Sequence, residues 1–588
     1  MYGVYGKLLR IDLTKKSVKE ETIPDDAFQK YLGGKGLGAY LLLKYLTPKV
    51  DPLSPDNKLI FTTGPATGTS FPSAGRYGVF AKSPQTGFFG EGYSGGHVAP
   101  VIKQTGYDAI MIEGAAKDPL YLHVSDHGVE FGDASDLWGQ ETYKTENELL
   151  KRVNVKGAQA LVIGEAGENL VSYACIKNNS WRSVGRTGLG AVMGSKKLKG
   201  IVFSGSQKAP LYDEEMLKDY VKDLIKKYAN TDRTKLLKGK GTAWMVATAN
   251  EACAFPTRYW EDGTYDKYKG ITADAMNERL DVKPRGCYRC FIACARYCTI
   301  LNGRHKGLII EGPEYETIYA LGGLLDIDQI EEVCYLNDIC DRLGIDTISA
   351  GNMVSFAIEA GRRGKLSGMP DFGDVDGIAE LLYRIVRKEG NGELLSKGII
   401  EAANTLGLED LAIHVKGLEP AGYDPRRVNG MSLGYATSER GACHLRSSFY
   451  MAELRGEVPK ELKEKTKYFI KYESRNTLDD CLITCRFYYQ FIGFEGMKTI
   501  LKATMGVDYS EDDLTAVAKR VKTLTKWFNI REGWTKKDDS VPPRLFKEPI
   551  GPNKEYIVPE QDFEIMLKEY YNLHGWNEDG IPKEQLLL

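Results

Sequence analysis

Residues 199–228, KGIVFSGSQKAPLYDEEMLKDYVKDLIKKY, contain the change of pattern that decides the fold. The first part, KGIVFSG, is a short apolar run bounded by glycine, which is typical of a buried β-strand. After Tyr212, apolar residues recur every three or four positions along one face of a helix. The sequence therefore predicts a β-rich segment before this stretch and a helical segment after it.

The segment from residue 1 to 207 consists largely of short β-type runs separated by turn residues. Examples are LLRIDLT at 8–14, KLIFTTG at 58–64 and AIMIEGA at 109–115. This pattern is typical of a mainly antiparallel sheet domain. The segment also contains glycine-rich stretches such as LGGKGLGAY and GRTGLGAVMGSK, where glycine allows either a tight turn or a close approach to a ligand. Neither stretch matches the spacing of a nucleotide-binding loop.

Helical patterns prevail from residue 208 to the end of the chain. The stretch EPAGYDPRR at 419–427, with two prolines and a glycine, predicts a boundary between two helical domains. We therefore predict an α+β protein in which a β-rich N-terminal domain is followed by two mainly α-helical domains. The predicted domains are residues 1–207, 208–416 and 417–588.

Composition excludes several classes of protein. The 588 residues are 42% hydrophobic and 27% charged, which is ordinary for a globular protein and excludes disorder as the main state. The 78 basic and 80 acidic residues give a net charge of -2, so no overall field attracts nucleic acid. The N-terminus lacks the pattern of a signal peptide, and no run approaches 18 apolar residues. We therefore expect a soluble cytoplasmic protein that binds no membrane.

The strongest local motif is Cys287-Tyr-Arg-Cys290-Phe-Ile-Ala-Cys294, with Cys298 four residues further on. Three thiolates at this spacing can hold an iron–sulfur cluster if a fourth ligand comes from elsewhere. A structural zinc site and unligated thiols are the alternative interpretations. The candidates for the fourth ligand are Cys298, Cys481 and Cys485. The other cysteines, Cys443 among them, are predicted to be small buried apolar residues.

Two other segments contain residues suited to acid–base chemistry. His444, in RGACHLRSS, is flanked by arginines and small residues. It is therefore either part of a polar functional site or a structural histidine whose hydrogen bonds are satisfied. Glu311, Glu314 and Glu316 lie in EGPEYET. By composition this segment is predicted to be solvated surface, with a buried acid or base as the alternative.

Taken together, these segments resemble the aldehyde:ferredoxin oxidoreductase family, whose members carry tungsten on two pterin dithiolenes beside one [4Fe–4S] cluster. The likeness extends from MYGVYGKLLRIDLTKKSV and YLGGKGLGAYLL near the start to EYYNLHGW at 569–576. Several independent motifs occur in the family's order at similar separations, and the likeness covers essentially the whole chain.

The resemblance assigns residues to the cluster and the pterins. It implies that Cys287, Cys290, Cys294 and Cys485 hold the cluster. A first pterin motif, D-x-x-G-x-D, is intact as Asp341, Gly344 and Asp346. A second, D-x-x-G-L-C, corresponds to Asp480-Cys-Leu-Ile-Thr-Cys485, with Ile483 where the family has glycine and with Thr484 before the last cysteine.

The resemblance also assigns residues in the β-rich domain. Arg76 corresponds to an arginine that bridges cluster and pterin, and Arg182 with Ser183 to a pair that contacts pterin and its bridging Mg²⁺. The carbonyl of Tyr93 corresponds to a magnesium contact, and Gly95 allows a close approach. At the tungsten, the resemblance implies a group of four residues: Glu316, His444, Tyr315 and Tyr423.

The implied activity is oxidation of aldehydes to carboxylic acids, with transfer of electrons to ferredoxin or to an iron–sulfur electron-transfer subunit. The implied substrate is a small aldehyde, and the implied assembly is a homodimer or larger oligomer. One alternative uses the same cofactor in reverse, to reduce a carboxylic acid or an aromatic acyl-CoA. A second alternative, from another class, is a non-catalytic subunit that carries only the iron–sulfur cluster.

Overall fold

Two six-stranded sheets, formed one after the other along the chain, build the β-rich part of the protein. The computed structural model describes residues 1–583. The strands of the first sheet are β1 (Lys7–Asp12), β2 (Ser17–Thr22), β3 (Leu59–Thr62), β4 (Tyr77–Lys82), β5 (Phe89–Ser94) and β6 (Ala109–Glu113). Those of the second are β7 (Leu120–Ser125), β8 (Gly128–Asp133), β9 (Gln159–Val162), β10 (Ile176–Asn178), β11 (Arg182–Val184) and β12 (Leu198–Phe203).

The two sheets have the same topology. The spatial order is β2-β1-β6-β3-β4-β5 in the first and β8-β7-β12-β9-β10-β11 in the second, so each strand has a counterpart six strands later. In each sheet one pair is parallel, β1 with β6 and β7 with β12, and the other pairs are antiparallel. The prediction of mainly antiparallel sheets is therefore confirmed.

Apolar residues from both sheets form a shared core. Along β1, Leu9 and Ile11 point into this core, whereas Leu8 points to the opposite face, as strand alternation requires. Leu122 and Ile201 enter the same core from the second sheet. At the edge of the pair, β5 lies against β11, where a side chain at Gly92 would collide with Val184. The ends of these two strands therefore lie side by side.

Helices dominate after residue 213, as the sequence predicted. Within the described residues, none is long and apolar enough to cross a membrane. The helices are α1 (Asp25–Tyr31), α2 (Gly34–Tyr45), α3 (Val98–Gln104), α4 (Thr142–Val153), α5 (Glu165–Glu168), α6 (Leu189–Ser195), α7 (Glu214–Tyr228), α8 (Asp232–Lys240), α9 (Met245–Glu251), α10 (Ala273–Arg279), α11 (Tyr315–Leu321), α12 (Ile330–Leu343), α13 (Thr347–Arg362), α14 (Val375–Arg387), α15 (Asn391–Ser396), α16 (Ile399–Leu406), α17 (Gly430–Thr437), α18 (Tyr450–Leu454), α19 (Leu462–Leu482), α20 (Tyr489–Met505), α21 (Glu511–Glu532), α22 (Pro543–Lys547) and α23 (Glu560–His574).

A third, three-stranded sheet interrupts the helical part. It consists of β13 (Leu280–Arg285), β14 (Ala295–Ile300) and β15 (Ile309–Glu311), in the order β13-β14-β15. The residues between β13 and β14 form a hairpin loop closed by the pair Arg285 and Ala295. This loop carries the C-x2-C-x3-C motif, so the sheet fixes the position of three cysteines.

The helices pack into two large cores. One core joins α9 and α11–α16 to the C-terminal helix α23. The other packs α2, α7, α20 and α21 against the outer face of the first sheet. The segment beyond residue 417 contributes helices to both cores, and the candidate site lies where these cores meet the edges of the two sheets.

Candidate active site and metal centre

Four cysteines line one small cavity. Cys287, Cys290 and Cys294 come from the hairpin loop, and Cys485 comes from the turn after α19. The space around the four thiols, including the part open to solvent, is about 380 Å³. The backbone N–H of Cys485 donates a 2.6 Å hydrogen bond to Ser73 Oγ, which ties this turn to the loop between β3 and β4.

The other two candidates for a fourth ligand lie elsewhere. Cys298 is buried within β14, opposite Val282 and Ile310, and it belongs to the helical core. Cys481 is fully buried in the core against the first sheet. Neither residue lines the cavity, so the structure groups Cys485 with the hairpin cysteines.

The four thiols lie apart from one another in a partly buried setting. Within residues 1–583, no three His, Cys, Asp or Glu side chains converge closely enough to hold one ion. Burial raises the pKa of Cys290, Cys294 and Cys485, and repulsion between neighbouring thiols adds to the rise. A bound cation would oppose these rises and favour the thiolate forms.

Arg76 connects this cavity to the end of β5. Its Nη1 lies 4.0 Å from Cys485 Sγ, and its Nη2 donates a 3.4 Å hydrogen bond to the carbonyl of Tyr93. The Tyr93 hydroxyl turns away and donates to Glu91 at 2.6 Å. At Gly95 a Cβ atom would lie 2.9 Å from Cys287 Sγ, so only glycine lets the strand end this close to the thiol.

A second cavity, of about 300 Å³, adjoins the cysteines. Its wall combines both sheets, the hairpin loop, α11 and the loop between α12 and α13. Trp181 Nε1 is buried beside it and has no hydrogen-bond partner. The predicted site residues in its wall are Arg76, Tyr93, Gly95, Arg182, Ser183, Cys287, Cys294, Asp341, Asp346 and Cys485.

The first D-x-x-G-x-D motif forms the link between α12 and α13. Asp341, in the last turn of α12, pairs with the buried Lys177 and accepts a 2.7 Å hydrogen bond from Asn337. Burial raises the pKa of Asp341 to about 6, and Lys177 opposes this rise. Lys177 also donates to Ser183 Oγ at 2.5 Å, which connects the motif to β11. Gly344 ends α12 with φ +74°, a left-handed conformation that favours glycine.

Arg186 fixes the motif to two loops of the segment beyond residue 417. Its guanidinium donates to Asp346 Oδ2 at 3.1 Å, to the carbonyl of Glu419 at 2.7 Å and to that of Ala442 at 3.2 Å. Asp346 in turn caps the N-terminus of α13. One arginine of the β-rich segment therefore holds three separate loops of the helical segment.

The second motif repeats the backbone geometry of the first. Ile483 follows α19 with φ 56° and ψ 42°, close to the values of 74° and 47° at Gly344. The isoleucine therefore keeps the left-handed turn that glycine provides in the first motif. Asp480 lies between Arg446 and Arg486, each at 2.7 Å. Thr484 is buried and donates to Asp479 at 2.6 Å, so its side chain braces the turn.

Glu316 and His444 lie together in the interior. Glu316 Oε1 is 3.4 Å from His444 Nε2, and Glu316 Oε2 accepts a 2.9 Å hydrogen bond from the N–H of Gly422. Burial raises the pKa of Glu316 to about 8 and lowers that of His444 well below its usual value, with nearby arginines adding to the second shift. Because both shifts favour neutral forms, we interpret the contact as a polar one and not as an ion pair. Glu316 Oε1 and His444 Nδ1 have no hydrogen-bond partner.

Aromatic rings surround this pair. Tyr423 lies with its ring centroid 5.1 Å from Tyr315 and 5.5 Å from His444. The Tyr315 hydroxyl donates to the carbonyl of Gly422, which positions the same loop that holds Glu316. Tyr450, which the sequence did not point to, stacks on Tyr423 at 3.7 Å. The rings shield the unpaired atoms of Glu316 and His444 from bulk water.

The prediction of a solvated surface at residues 311–316 is wrong. Glu311 is buried and forms ion pairs with Arg182 and Arg285. Glu314 lines the larger cavity and accepts a hydrogen bond from Thr242, and burial raises its pKa. The charges point inward because the short strand β15 and helix α11 place this segment against the cavity. Composition alone does not reveal that placement.

Cys443 differs from the predicted apolar residue. It is buried as expected, but its Sγ accepts a 2.9 Å hydrogen bond from Arg440. Burial raises its pKa, yet Arg440 and Arg446 outweigh this effect and lower the pKa to about 7. The flanking arginines, three positions away on each side, were the available sequence signal.

Sequence reasoning also missed a buried charge network behind Asp480. Glu91, fully buried at the centre, accepts a 2.7 Å hydrogen bond from Arg446 and lies 3.3 Å from Lys35. Lys35 also pairs with Glu439. These residues come from distant parts of the sequence, and only the folded chain brings them together. The helical residue Asn476 lies buried in the same region with neither side-chain atom hydrogen-bonded.

Two family profiles together match nearly the whole chain. Residues 8–205 match the N-terminal domain of aldehyde ferredoxin oxidoreductase, and residues 219–588 match its domains 2 and 3.

Individual relatives extend over the full length. The tungsten-containing aldehyde ferredoxin oxidoreductase of Pyrococcus furiosus is 37% identical, over 100% of this chain and 98% of its own. The WOR-like subunit of an aliphatic sulfonate oxidoreductase from the same organism is 31% identical, over 100% of this chain and 97% of its own. Among solved structures, the active-site complex of benzoyl coenzyme A reductase with 1,5-dienoyl-CoA matches with a TM-score of 0.85. Its sequence is 25% identical, and the match covers 99% of this chain and 96% of that one.

Proposed function

The chain belongs to the aldehyde ferredoxin oxidoreductase family, and on this basis we propose that it oxidises aldehydes to carboxylic acids and passes the electrons to ferredoxin. The overall reaction converts an aldehyde and water into a carboxylic acid, two protons and two electrons. The proposed cofactors are a tungsten–bis-pterin group with a bridging Mg²⁺ and one [4Fe–4S] cluster.

One observation carries this proposal. Glu316 and His444 are buried side by side, and each has one side-chain atom without a hydrogen-bond partner. Buried polar atoms are seldom left unpaired, because each costs about 1–3 kcal/mol. A substrate carbonyl and a water molecule supply the acceptor and donor that these atoms lack.

The residues around the two cavities suit the proposed cofactors. Arg76 and Arg182 provide positive charge for anionic pterin phosphates, and Trp181 offers an unpaired N–H. The four cysteines would hold the cluster, and the Tyr93 carbonyl would contact Mg²⁺. When bound, these groups would accept two electrons and release them singly, which side chains cannot do.

The protein residues then position the substrate and move protons. Glu316 takes the proton of the attacking water, for which a pKa of about 8 is well suited near neutral pH. His444, held neutral by its surroundings, donates a hydrogen bond to the carbonyl oxygen. Tyr315 and Tyr423 hold the Gly422 loop and enclose the substrate.

Metal analysis and a dye assay test the proposal together. Protein purified without oxygen, from cells supplied with tungstate and molybdate, should contain about four irons and one tungsten per chain. It should also reduce a viologen dye when an aldehyde is added. Four irons without tungsten or molybdenum would refute the bis-pterin site. Metal-replete protein that oxidises no aldehyde would refute the activity.

The reverse direction is the second candidate. The similarity to the benzoyl coenzyme A reductase complex, over nearly the whole chain, favours it. Metal-replete protein that oxidised a reduced viologen with benzoyl-CoA or benzoate, but ignored aldehydes, would establish this alternative. The higher identity to aldehyde ferredoxin oxidoreductases favours aldehyde oxidation.

A further inference from the structure

Glu91 lies fully buried in β5 and contacts separate parts of the chain. Its carboxylate Oε1 accepts a 2.7 Å hydrogen bond from Arg446 Nη1 and lies 3.3 Å from Lys35 Nζ. Its Oε2 accepts a 2.6 Å hydrogen bond from the Tyr93 hydroxyl. Its backbone carbonyl accepts a 2.8 Å hydrogen bond from Arg440 Nη1. One acidic residue therefore connects β5, α2 and the loop between α17 and α18.

The partners of this carboxylate belong to the proposed site. Arg440 and Arg446 flank His444 in the loop between α17 and α18, residues 438–449, which is called the His444 loop below. Arg446 Nη1 also lies 2.7 Å from Asp480 Oδ2, in the second motif. The carbonyl of Tyr93, at the end of β5, accepts a hydrogen bond from the arginine beside the cluster cavity. The His444 loop, the second motif and the end of β5 thus meet at one side chain.

Lys35 supplies a charge that lets this carboxylate stay ionised. It lies in α2, is 1% exposed, and also pairs with Glu439. A carboxylate that is taken out of water without a partner loses its charge or destabilises the fold. Burial raises the pKa of Glu91, but Arg446 and Lys35 outweigh this effect and hold the pKa well below its usual value. The side-chain contacts of Glu91 are therefore charge-assisted, which makes them short and strong.

The network is suited to holding groups in place and not to moving protons. Arg446 stands between the carboxylates of Glu91 and Asp480, and a guanidinium keeps its proton in proteins. A proton therefore cannot pass from one carboxylate to the other through this side chain. The planar guanidinium does fix the direction of the carboxylates that it binds.

We propose that Glu91, with Lys35 as its counter-charge, is a positioning residue for His444 and for the second motif. The inference rests on the proposed function and adds two residues that act through others. Glu91 holds Arg446, and Arg446 in turn holds Asp480 and one end of the His444 loop. Loss of a group that orients the residues of a metal site typically lowers metal affinity or activity by about 10- to 100-fold.

Two substitutions test this role in holoenzyme purified without oxygen from cells supplied with tungstate. Lys35→Met removes the counter-charge, and Glu91→Gln removes the carboxylate charge while it keeps the volume. The measurements are the tungsten-to-iron ratio, kcat and KM for aldehyde-dependent viologen reduction, and the melting temperature. We expect both variants to have a lower tungsten-to-iron ratio and a kcat per tungsten lowered about 10- to 100-fold, with KM nearly unchanged. Glu91→Gln keeps the test available if Lys35→Met does not fold.

Lys199→Met is the matched control. Lys199, in β12 of the second sheet, forms an equally buried ion pair with Glu168 of α5. Neither residue lines the two cavities of the site. Loss of this pair should lower the melting temperature but leave the tungsten-to-iron ratio and kcat per tungsten unchanged.

The outcomes separate this inference from the proposed function. A lower melting temperature as the sole change in Lys35→Met and Glu91→Gln, as in the control, would overturn the positioning role while aldehyde oxidation stood. If wild-type holoenzyme oxidised no aldehyde, the proposed function would fail, and the tungsten-to-iron ratios would still decide the inference. A lower ratio in both variants but not in Lys199→Met supports it, and equal ratios in all four proteins overturn it.

Discussion

Replacing Glu316 by glutamine removes the proposed base while it preserves the shape of the site. The glutamine carbonyl can still accept the 2.9 Å hydrogen bond from the N–H of Gly422, and the side chain stays uncharged, like the protonated glutamate. It cannot take a proton from water. Loss of a positioned base typically lowers the rate by about 10²–10⁴, or about 3–5 kcal/mol in activation free energy.

The pH profile gives a sharper test than the rate alone. A base must be deprotonated to act, so wild-type activity should rise with pH through the Glu316 pKa of about 8. At pH 7 about one tenth of such a group is ionised, and at pH 9 about nine tenths, which predicts roughly a tenfold rise in kcat/KM. The residual activity of Glu316→Gln should be flat over this interval.

Cys443 is the nearby group that could imitate this profile, because its pKa is about 7. Cys443→Ala should therefore keep the rise centred near pH 8 if Glu316 causes it. Glu380→Gln, on the exposed side of α14, is the matched control for the substitution and should behave as wild type. Iron and tungsten contents should be the same in all variants.

The assay is aldehyde-dependent viologen reduction under anaerobic conditions between pH 6 and pH 9.5. Full activity of Glu316→Gln in metal-replete protein would refute the assignment of the base. A rise that moved or vanished in Cys443→Ala would assign the titration to the thiol instead.

Three further predictions concern the cluster, the first pterin motif and the loops of the site. Cys485→Ser should lower the iron content strongly, whereas Cys298→Ala should keep it, and the opposite result would reassign the fourth ligand. Gly344→Ala should destabilise the fold by about 1–3 kcal/mol, because its φ is +74° and a Cβ would lie 3.0 Å from a backbone nitrogen. Gly364→Ala, with φ +70° but no neighbour within 4 Å, should lose less free energy of unfolding, as measured by thermal unfolding. Equal losses in the two variants would show that the close backbone nitrogen does not destabilise Gly344→Ala. Arg186→Lys keeps the charge, but a lysine cannot make the hydrogen bonds that hold three loops. We expect kcat to fall about 10- to 100-fold at constant iron content. An unchanged kcat would exclude a role of Arg186 in positioning these loops.

The features that could be predicted from the sequence are those that depend on residues close together along the chain. The change from strands to helices near residue 212 and the grouping of Cys287, Cys290 and Cys294 both follow from local spacing. The burial of Glu311 could not be predicted, because its partner Arg182 lies more than a hundred residues away in another sheet. The ion pair of Lys177 with Asp341 could not be predicted for the same reason. A lysine in a strand is predicted to be exposed, and only the fold places Asp341 beside it.

The glycine-rich loops allow the second motif to dock on the first sheet. The sequence left open whether they served tight turns or close approach. At Gly34 a Cβ atom would lie 2.2 Å from the carbonyl oxygen of Asp480, and at Gly64 one would lie 2.3 Å from that of Leu482. Close approach is therefore the physical reason for both glycines. The side chain of Ile483 packs into the space beside them, also against Gly78.

This docking also explains how isoleucine can stand where the first motif has glycine. A β-branched residue at φ 56° costs about 1–3 kcal/mol in backbone strain. Burying an isoleucine side chain stabilises the fold by about 1.5–3 kcal/mol, and Ile483 is only 2% exposed. Because the two magnitudes are similar, the left-handed turn persists, and Asp480 and Cys485 keep the positions that the first sheet and the hairpin cysteines require.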